Sequence, residues 1–215
     1  MDYLAISASE ATVEFLKKGG VFVYPLILCS IAGLTAIAFK AMSLARSRTV
    51  PLNLSTGMEE IDAEDADADA VVGQLKHGGS TLARLGAIAL KHHSKPTQEI
   101  SQVVEAAARE EVIKMHSGIG VLDVVITVAP LLGLLGTASG LVTIFAGLGE
   151  TTDHLAIARG IAEALNTTIF GLAIAVPCVI AHSYFTRRIE RLTARMESVM
   201  TSFVSSCAKN STPSI

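Results

Sequence analysis

Residues 124–149 read VVITVAPLLGLLGTASGLVTIFAGLG, 26 residues without one Asp, Glu, Lys or Arg. A helix of that length, rising about 1.5 Å per residue, reaches roughly 39 Å, more than the ~30 Å hydrocarbon thickness of a bilayer. Two other uncharged stretches bracket it in the chain, Val21 to Phe39 with 19 residues and Ala164 to Thr186 with 23. These reach roughly 28 and 34 Å, so each can also span. Composition agrees: of 215 residues, 50% are hydrophobic, 17% are charged and none is Trp, and the mean hydropathy is +0.50. A soluble domain carries about a quarter charged residues, and a disordered chain combines low hydrophobicity with high net charge. The expected fold class is an all-α membrane protein with three transmembrane helices.

The net charge of -3 offers no excess of Lys and Arg to neutralise phosphates, which argues against nucleic-acid binding. The first apolar stretch follows Lys17, Lys18, Gly19 and Gly20 and is too long for a signal-peptide core, so a retained helix is expected. Lys40, Arg46 and Arg48 follow the first span, and Arg187, Arg188, Arg191 and Arg195 follow the third. The link between the second and third spans has only Arg159, with Glu150 and Asp153. The positive-inside rule then puts the N-terminus outside and the C-terminus in the cytoplasm, with Lys17 and Lys18 pulling the other way. The expected organisation is an outside segment 1–20, a first span 21–39, a cytoplasmic linker and helical domain 40–122, a second span 123–149, an outside loop 150–162, a third span 163–186 and a cytoplasmic helix and tail 187–215.

Between the first two spans, residues 59–69 carry Glu59, Glu60, Asp62, Glu64, Asp65, Asp67 and Asp69 and no basic residue. Counted as a calcium loop from Asp65, the position that needs Gly is Ala70 and the one that needs Glu is Lys76, so the run reads as a solvated linker. Beyond it, Ile100, Val103, Val104, Ala107, Val112 and Met115 recur at helical spacing, and Ile189, Leu192, Met196, Val199 and Phe203 continue the third span in the same way. Two readings fit these stripes: long helical extensions that pack together in the cytoplasm, or ordinary interfacial amphipathicity.

Within the spans, small and polar residues fall on faces. Gly133 with Thr137, and Gly136 with Gly140, are four apart, which lets a neighbouring helix approach closely. In the third span Ala164, Thr168, Gly171, Ala175, Cys178 and His182 advance by 4, 3, 4, 3 and 4. Such a stripe faces other helices or a water-bearing lumen. Glu163 has two readings from spacing alone: a gating or proton-handling carboxylate, or a residue at the start of the third helix, favoured by the helix N-terminus and paired with backbone or Arg159. Thr137 and Thr168 are equally open, because a membrane threonine commonly bonds the carbonyl one turn back. Pro130 and Pro177 are candidate kinks. Cys29 and Cys178 lie in spans and Cys207 lies beyond them, so no disulfide framework is expected; adjacent His92 and His93 lack ligand-spaced partners, so no structural metal is expected either. No phosphate loop, nucleophile elbow or His-Glu-x-x-His motif is present, and an enzyme is not expected.

Ala129-Pro130-Leu131-Leu132-Gly133-Leu134-Leu135-Gly136-Thr137 with Gly140, then Gly160-Ile161-Ala162-Glu163-Ala164-Leu165 with Thr168, Gly171 and Pro177, resembles the MotA/TolQ/ExbB proton channel family, most closely its ExbB and TolQ branch. The two motifs cover about 60 residues in order, and the three-span pattern extends the match across most of the chain. Ser139 stands where relatives often carry an aromatic residue, and Phe39-Lys40 replaces a Glu-Arg that commonly closes the first span.

The resemblance implies a homopentamer in which the second and third helices ring a central lumen, with their cytoplasmic extensions forming a vestibule. It also implies location in a bacterial inner membrane, protons as the coupling ion with no other cofactor, and an ExbD/TolR-like partner whose single membrane helix carries an Asp. A TonB- or TolA-like protein would receive the resulting work. In this reading Thr137 and Thr168 are lumen threonines, Glu163 lies at the lumen mouth, and Gly133, Gly136, Gly140 and Gly171 are packing residues.

Overall fold

The structure, a computed structural model, describes residues 21–44, 51–59, 73, 75, 78–93, 95–147 and 154–209. Six α-helices are formed among them: α1 (Val23–Ser43), α2 (Leu52–Glu59), α3 (Thr81–Lys91), α4 (Thr97–His116), α5 (Ile119–Ala146) and α6 (His154–Lys209). No strand occurs among the described residues. Helix α1, helix α5 and part of α6 are long and apolar enough to cross a membrane. The acidic run from Glu60 to Asp69, the N-terminal segment 1–20, Arg46 and Arg48 lie outside the described residues.

The contacts divide the chain into two compact units. The first combines the described residues of Met1–Ala38 with Gly118–Ser183 and holds the apolar parts of α1, α5 and α6. Its interior is lined by small side chains, with Ala129, Ala164, Ala175 and Cys178 buried. Its outer faces carry exposed Leu28, Leu34, Leu134, Val142, Ile169 and Ile180. Water would penalise so much bare apolar surface, whereas lipid tails or other apolar helices accept it. The protein is a multi-pass membrane protein.

The second unit combines the described residues of Phe39–Ser117 with Tyr184–Ile215. Its core is built on Leu82, Leu85, Ile100, Ile189, Met196 and Val199, all fully buried or nearly so. The stripes read from spacing are the buried faces: Ile100, Val104 and Met115 on α4, and Ile189, Met196, Val199 and Phe203 on α6, with Leu192 half-buried. Ser80 caps α3 by accepting a hydrogen bond from the Ala83 N–H at 3.1 Å, satisfying one orphan donor of the first turn. Glu111 is a buried charge on α4 bonded to Arg84 and Lys114. Burial works to raise its pKa, but the hydrogen bonds and charges of Arg84 and Lys114 outweigh burial and hold the carboxyl below its ordinary value.

Two helix boundaries differ from the expected ones. Helix α4 does not run on into the second span; it stops at His116, and Gly118 adopts φ 86 before α5 begins. That left-handed backbone costs a residue with a Cβ energy that Gly does not incur. The third helix begins at His154, so residues 154–162, assigned to the outside loop, are helical. Their only breaker is Gly160, which an approaching side chain uses: a Cβ there would meet Ile144 at 2.8 Å. Pro130 and Pro177 both sit inside continuous helices.

Candidate functional site

Close approach between α5 and α6 creates the site. A Cβ on Gly171 would lie 2.5 Å from the carbonyl oxygen of Ala129, and one on Gly133 would lie 2.8 Å from the carbonyl oxygen of Thr167. Gly133 and Gly171 therefore bring two backbones into direct contact. Gly136 makes room for the Thr167 hydroxyl and Gly140 for Ala164, at 2.8 and 2.9 Å from the same imagined atom. Small residues at such a seam permit van der Waals contact and short interhelical hydrogen bonds where no hydrophobic force distinguishes helix from lipid.

Three hydroxyls meet at this seam. The Thr137 Oγ1 lies 3.1 Å from the Gly133 carbonyl on its own helix and 3.2 Å from the Ala164 carbonyl across the seam. It also contacts the Thr168 hydroxyl and sits 3.5 Å from that of Thr167. Thr167 donates toward the Ala164 carbonyl at 2.7 Å and the Gly133 carbonyl at 3.3 Å; Thr168 donates to the Gly133 carbonyl at 3.1 Å. Each hydroxyl has one proton, so Thr137 can serve only one of its acceptors at a time. The cluster thus has alternative proton arrangements within fixed oxygen positions. It can solvate a charged or protonated group at the seam, but hydroxyls of this kind do not themselves ionise near neutral pH.

Thr137 and Thr168, singled out from the sequence, are brought together, while Thr167 was missed as a member. It is 3% exposed, more buried than Thr137 at 9%, whereas Thr168 is half-buried. The stripe that is fully buried on α6 runs Ala164, Thr167, Gly171, Ala175 and Cys178. Adjacent threonines differ by about 100° around a helix, and a stripe of width ~100° admits either. Thr167 lies four residues from Glu163 and shares its face, closer than Thr168 at five.

Glu163 is half-buried on α6. Its expected place at the start of the third helix is corrected: with α6 beginning at His154, Glu163 lies more than two turns inside. The helix-terminus field fades within the first turn, so it does not hold this carboxylate. Glu163 stands one turn before Thr167 on the same face of α6.

Lys40 was read only as a charge marking the end of the first span, and it has a defined structural position. Its side chain is 1% exposed, and its ammonium donates to the carbonyls of Met115 and, at 2.7 Å, Ser117. A cation at the C-terminal end of α4 complements the helix dipole and satisfies carbonyls that the broken helix leaves without intrahelical donors.

Among known proteins, residues 62–198 match the model of the MotA/TolQ/ExbB proton channel family. An ExbB homolog of Methanothermobacter thermautotrophicus is 30% identical over 87% of this chain and 67% of its own length. Biopolymer transport protein exbB1 of Vibrio cholerae is 27% identical, covering 89% of this chain and 86% of that protein. The Tol-Pal system protein TolQ of Pseudomonas aeruginosa is 35% identical over 45% of this chain and 42% of its own. The chain spans about two-thirds of the length of the Methanothermobacter relative. The family match takes in the whole of α5 and the stretch of α6 that carries Glu163, Thr167 and Thr168, so the seam glycines and hydroxyl cluster lie inside it. This chain belongs to the MotA/TolQ/ExbB proton channel family, on its ExbB/TolQ branch.

Proposed function

We propose that this chain is the channel-forming subunit of a stator in a bacterial inner membrane, driven by the proton motive force and energising a periplasm-spanning protein for outer-membrane transport. The observation that carries the reading is the cluster of Thr137, Thr167 and Thr168 hydroxyls held between two spans, with Glu163 one turn away. Interhelical hydroxyls also hold a seam together, and here their interchangeable partners leave donors and acceptors able to serve a proton path. The names of the relatives, biopolymer transport proteins among them, point the same way.

In this account the subunits form a pentameric ring, and the exposed apolar faces of α1, α5 and α6 are covered by lipid and by neighbouring copies. The apolar stretches Val124 to Gly149 and Ala164 to Thr186 contain no Asp or Glu. A proton-carrying carboxylate at membrane depth must then come from elsewhere, which supports an ExbD/TolR-like partner with an Asp in its single membrane helix. A proton moving across 100 mV releases about 2.3 kcal/mol, enough to bias the position of a helix whose Asp alternates between charged and neutral. Thr137, Thr167 and Thr168 solvate that Asp, and Glu163 stands at the outer mouth. The cationic run Arg187, Arg188, Arg191 and Arg195 favours a cytoplasmic C-terminus and an outside N-terminus.

The match to TolQ supports a second reading, an envelope-integrity motor working on a TolA-like protein with the same channel chemistry. The native mass of the detergent-solubilised complex, with and without the short single-span partner, tests the shared core. A pentamer that retains partner chains is expected; a monomer or dimer stable in mild detergent would turn the account toward a non-conducting scaffold.

A further inference from the structure

Away from the threonine cluster, a second polar contact joins the same two spans. His182 Nε2 lies 2.9 Å from Asp123 Oδ1, with the histidine side chain 30% exposed and the aspartate 60% exposed. Asp123 stands in the second turn of α5, and the Thr127 hydroxyl donates to its backbone carbonyl at 3.0 Å. His182 ends the small-residue stripe of α6, one turn beyond buried Cys178. It lies roughly 28 Å along that helix from Glu163 at the rise of an α-helix, close to the thickness of the hydrocarbon core. The two carboxylates of this unit's spans thus sit at opposite ends, and the inner one has a histidine beside it.

The surroundings of the pair are sparsely charged. Helix α5 contributes no titratable group besides Asp123, and α1 contributes Tyr24, Cys29 and, at its end, Lys40, whose ammonium is bonded to the Met115 and Ser117 carbonyls. On α6 itself, Cys178 precedes His182 by one turn, and Arg187 and Arg188 follow it; His154, Arg159 and Glu163 are at the far end. Cys178 is turned toward α1, since a Cβ on Gly33 would meet its sulfur at 2.8 Å. Asp123 is the one anion placed against the imidazole among the described residues.

We propose that His182 and Asp123 form a proton-transfer pair at the inner end of the channel, passing protons that have crossed the threonine cluster to water on that side. The inference rests on the proton-channel reading above and adds a station to it. With the Nε2 proton donated to Asp123, neutral His182 takes a proton at Nδ1 from a hydronium ion, leaving water. The imidazolium then gives that proton to a second water, while Asp123 remains ionised and the Nε2 proton stays in place. Asp123 accepts the hydrogen bond from the Nε2–H and so fixes the tautomer and the orientation of the ring, leaving Nδ1 as the exchanging atom. A purely structural pin would need only a hydrogen bond, which Gln at 182 or Asn at 123 can supply.

The test uses the full chain co-reconstituted with its single-span partner in liposomes, with proton flux measured under an imposed membrane potential. Native mass is recorded first for every variant. The wild type is expected to conduct protons, and His182→Gln is expected to reduce the flux by about a hundredfold, the low end of what a positioned proton-transfer group contributes. Asp123→Asn is expected to assemble normally and to reduce the flux as well, because an amide can donate as well as accept and no longer fixes which ring nitrogen carries the proton. Unchanged flux in a correctly assembled His182→Gln would overturn the pair while leaving the channel reading intact. Should His182→Gln fail to assemble, Asp123→Asn decides alone: a reduced flux supports the proposal and an undiminished one overturns it. A correctly assembled wild type that moves no protons would remove the channel reading and the pair with it.

Discussion

Replacing Gly171 by Ala tests the seam on which the site depends. The added Cβ would lie 2.5 Å from the Ala129 carbonyl oxygen and 3.2 Å from the Gly133 Cα, both backbone atoms of α5, where ordinary contact begins at 3.4 Å. Neither atom belongs to a side chain that can rotate away, so the helices must separate by roughly 1 Å at this level. Overpacking of this kind costs about 1–3 kcal/mol. The separation also stretches interhelical bonds that stand at 3.1 to 3.3 Å: Thr137 to the Ala164 carbonyl, and Thr167 and Thr168 to the Gly133 carbonyl. Such bonds average about 0.6 kcal/mol each in membrane helices. Ala is the better helix former by up to ~1 kcal/mol, which offsets part of the loss. The expected net destabilisation is on the order of 2–4 kcal/mol. Gly120→Ala is the control, because a Cβ there meets nothing within 4 Å, and it should be neutral or stabilising by up to ~1 kcal/mol. Unfolding in mixed micelles by titration with a denaturing detergent measures both. Gly171→Ala as stable as the wild type would refute the backbone-contact seam.

Lys40→Met keeps the apolar stem but removes the donor to the Met115 and Ser117 carbonyls; a loss of about 2–3 kcal/mol is expected, with faster amide exchange near the end of α4 by hydrogen-exchange mass spectrometry. Glu163→Ala and Thr168→Val should leave the native mass of the complex unchanged and abolish partner-dependent activity, and normal activity in both would point to a scaffold. Stability of the second unit should depend on acid through Glu111. Because its folded pKa is held below the ordinary value, its contribution is complete above the unfolded pKa and is lost as pH falls through the folded one. Glu111→Gln should therefore flatten the acid limb of the melting curve, read by circular dichroism of the full chain from pH 7 down to about pH 3.

Much of the molecule was legible because membranes restrict what a sequence can say. An uncharged run of 26 residues has few alternatives to a spanning helix, and the Gly133, Gly136 and Gly140 spacing already marked the face that meets α6. Stripes such as Ile189, Met196 and Phe203 were readable because a helix that buries one apolar face enforces the 3.6 period. What escaped the reading was set by the partner element, not by local pattern. Whether Thr167 or Thr168 turns into the seam depends on the rotation of α6 against Gly136, and one residue is too small a step for periodicity to decide. The start of α6 was misplaced because Arg159, with Glu150 and Asp153 before it, marks the end of the uncharged run, whereas a helix can begin well before its apolar stretch. Lys40 and the His182–Asp123 contact pair residues far apart in sequence, and no spacing rule connects them.

The most direct test of the central claim is proton flux through the reconstituted complex under an imposed membrane potential of about 100 mV, comparing the wild type with Thr137→Val. Val keeps the volume of Thr and removes the hydroxyl shared by Gly133, Ala164, Thr167 and Thr168. The account predicts partner-dependent flux in the wild type that falls to background in a correctly assembled Thr137→Val complex. Equal flux in the two would contradict it.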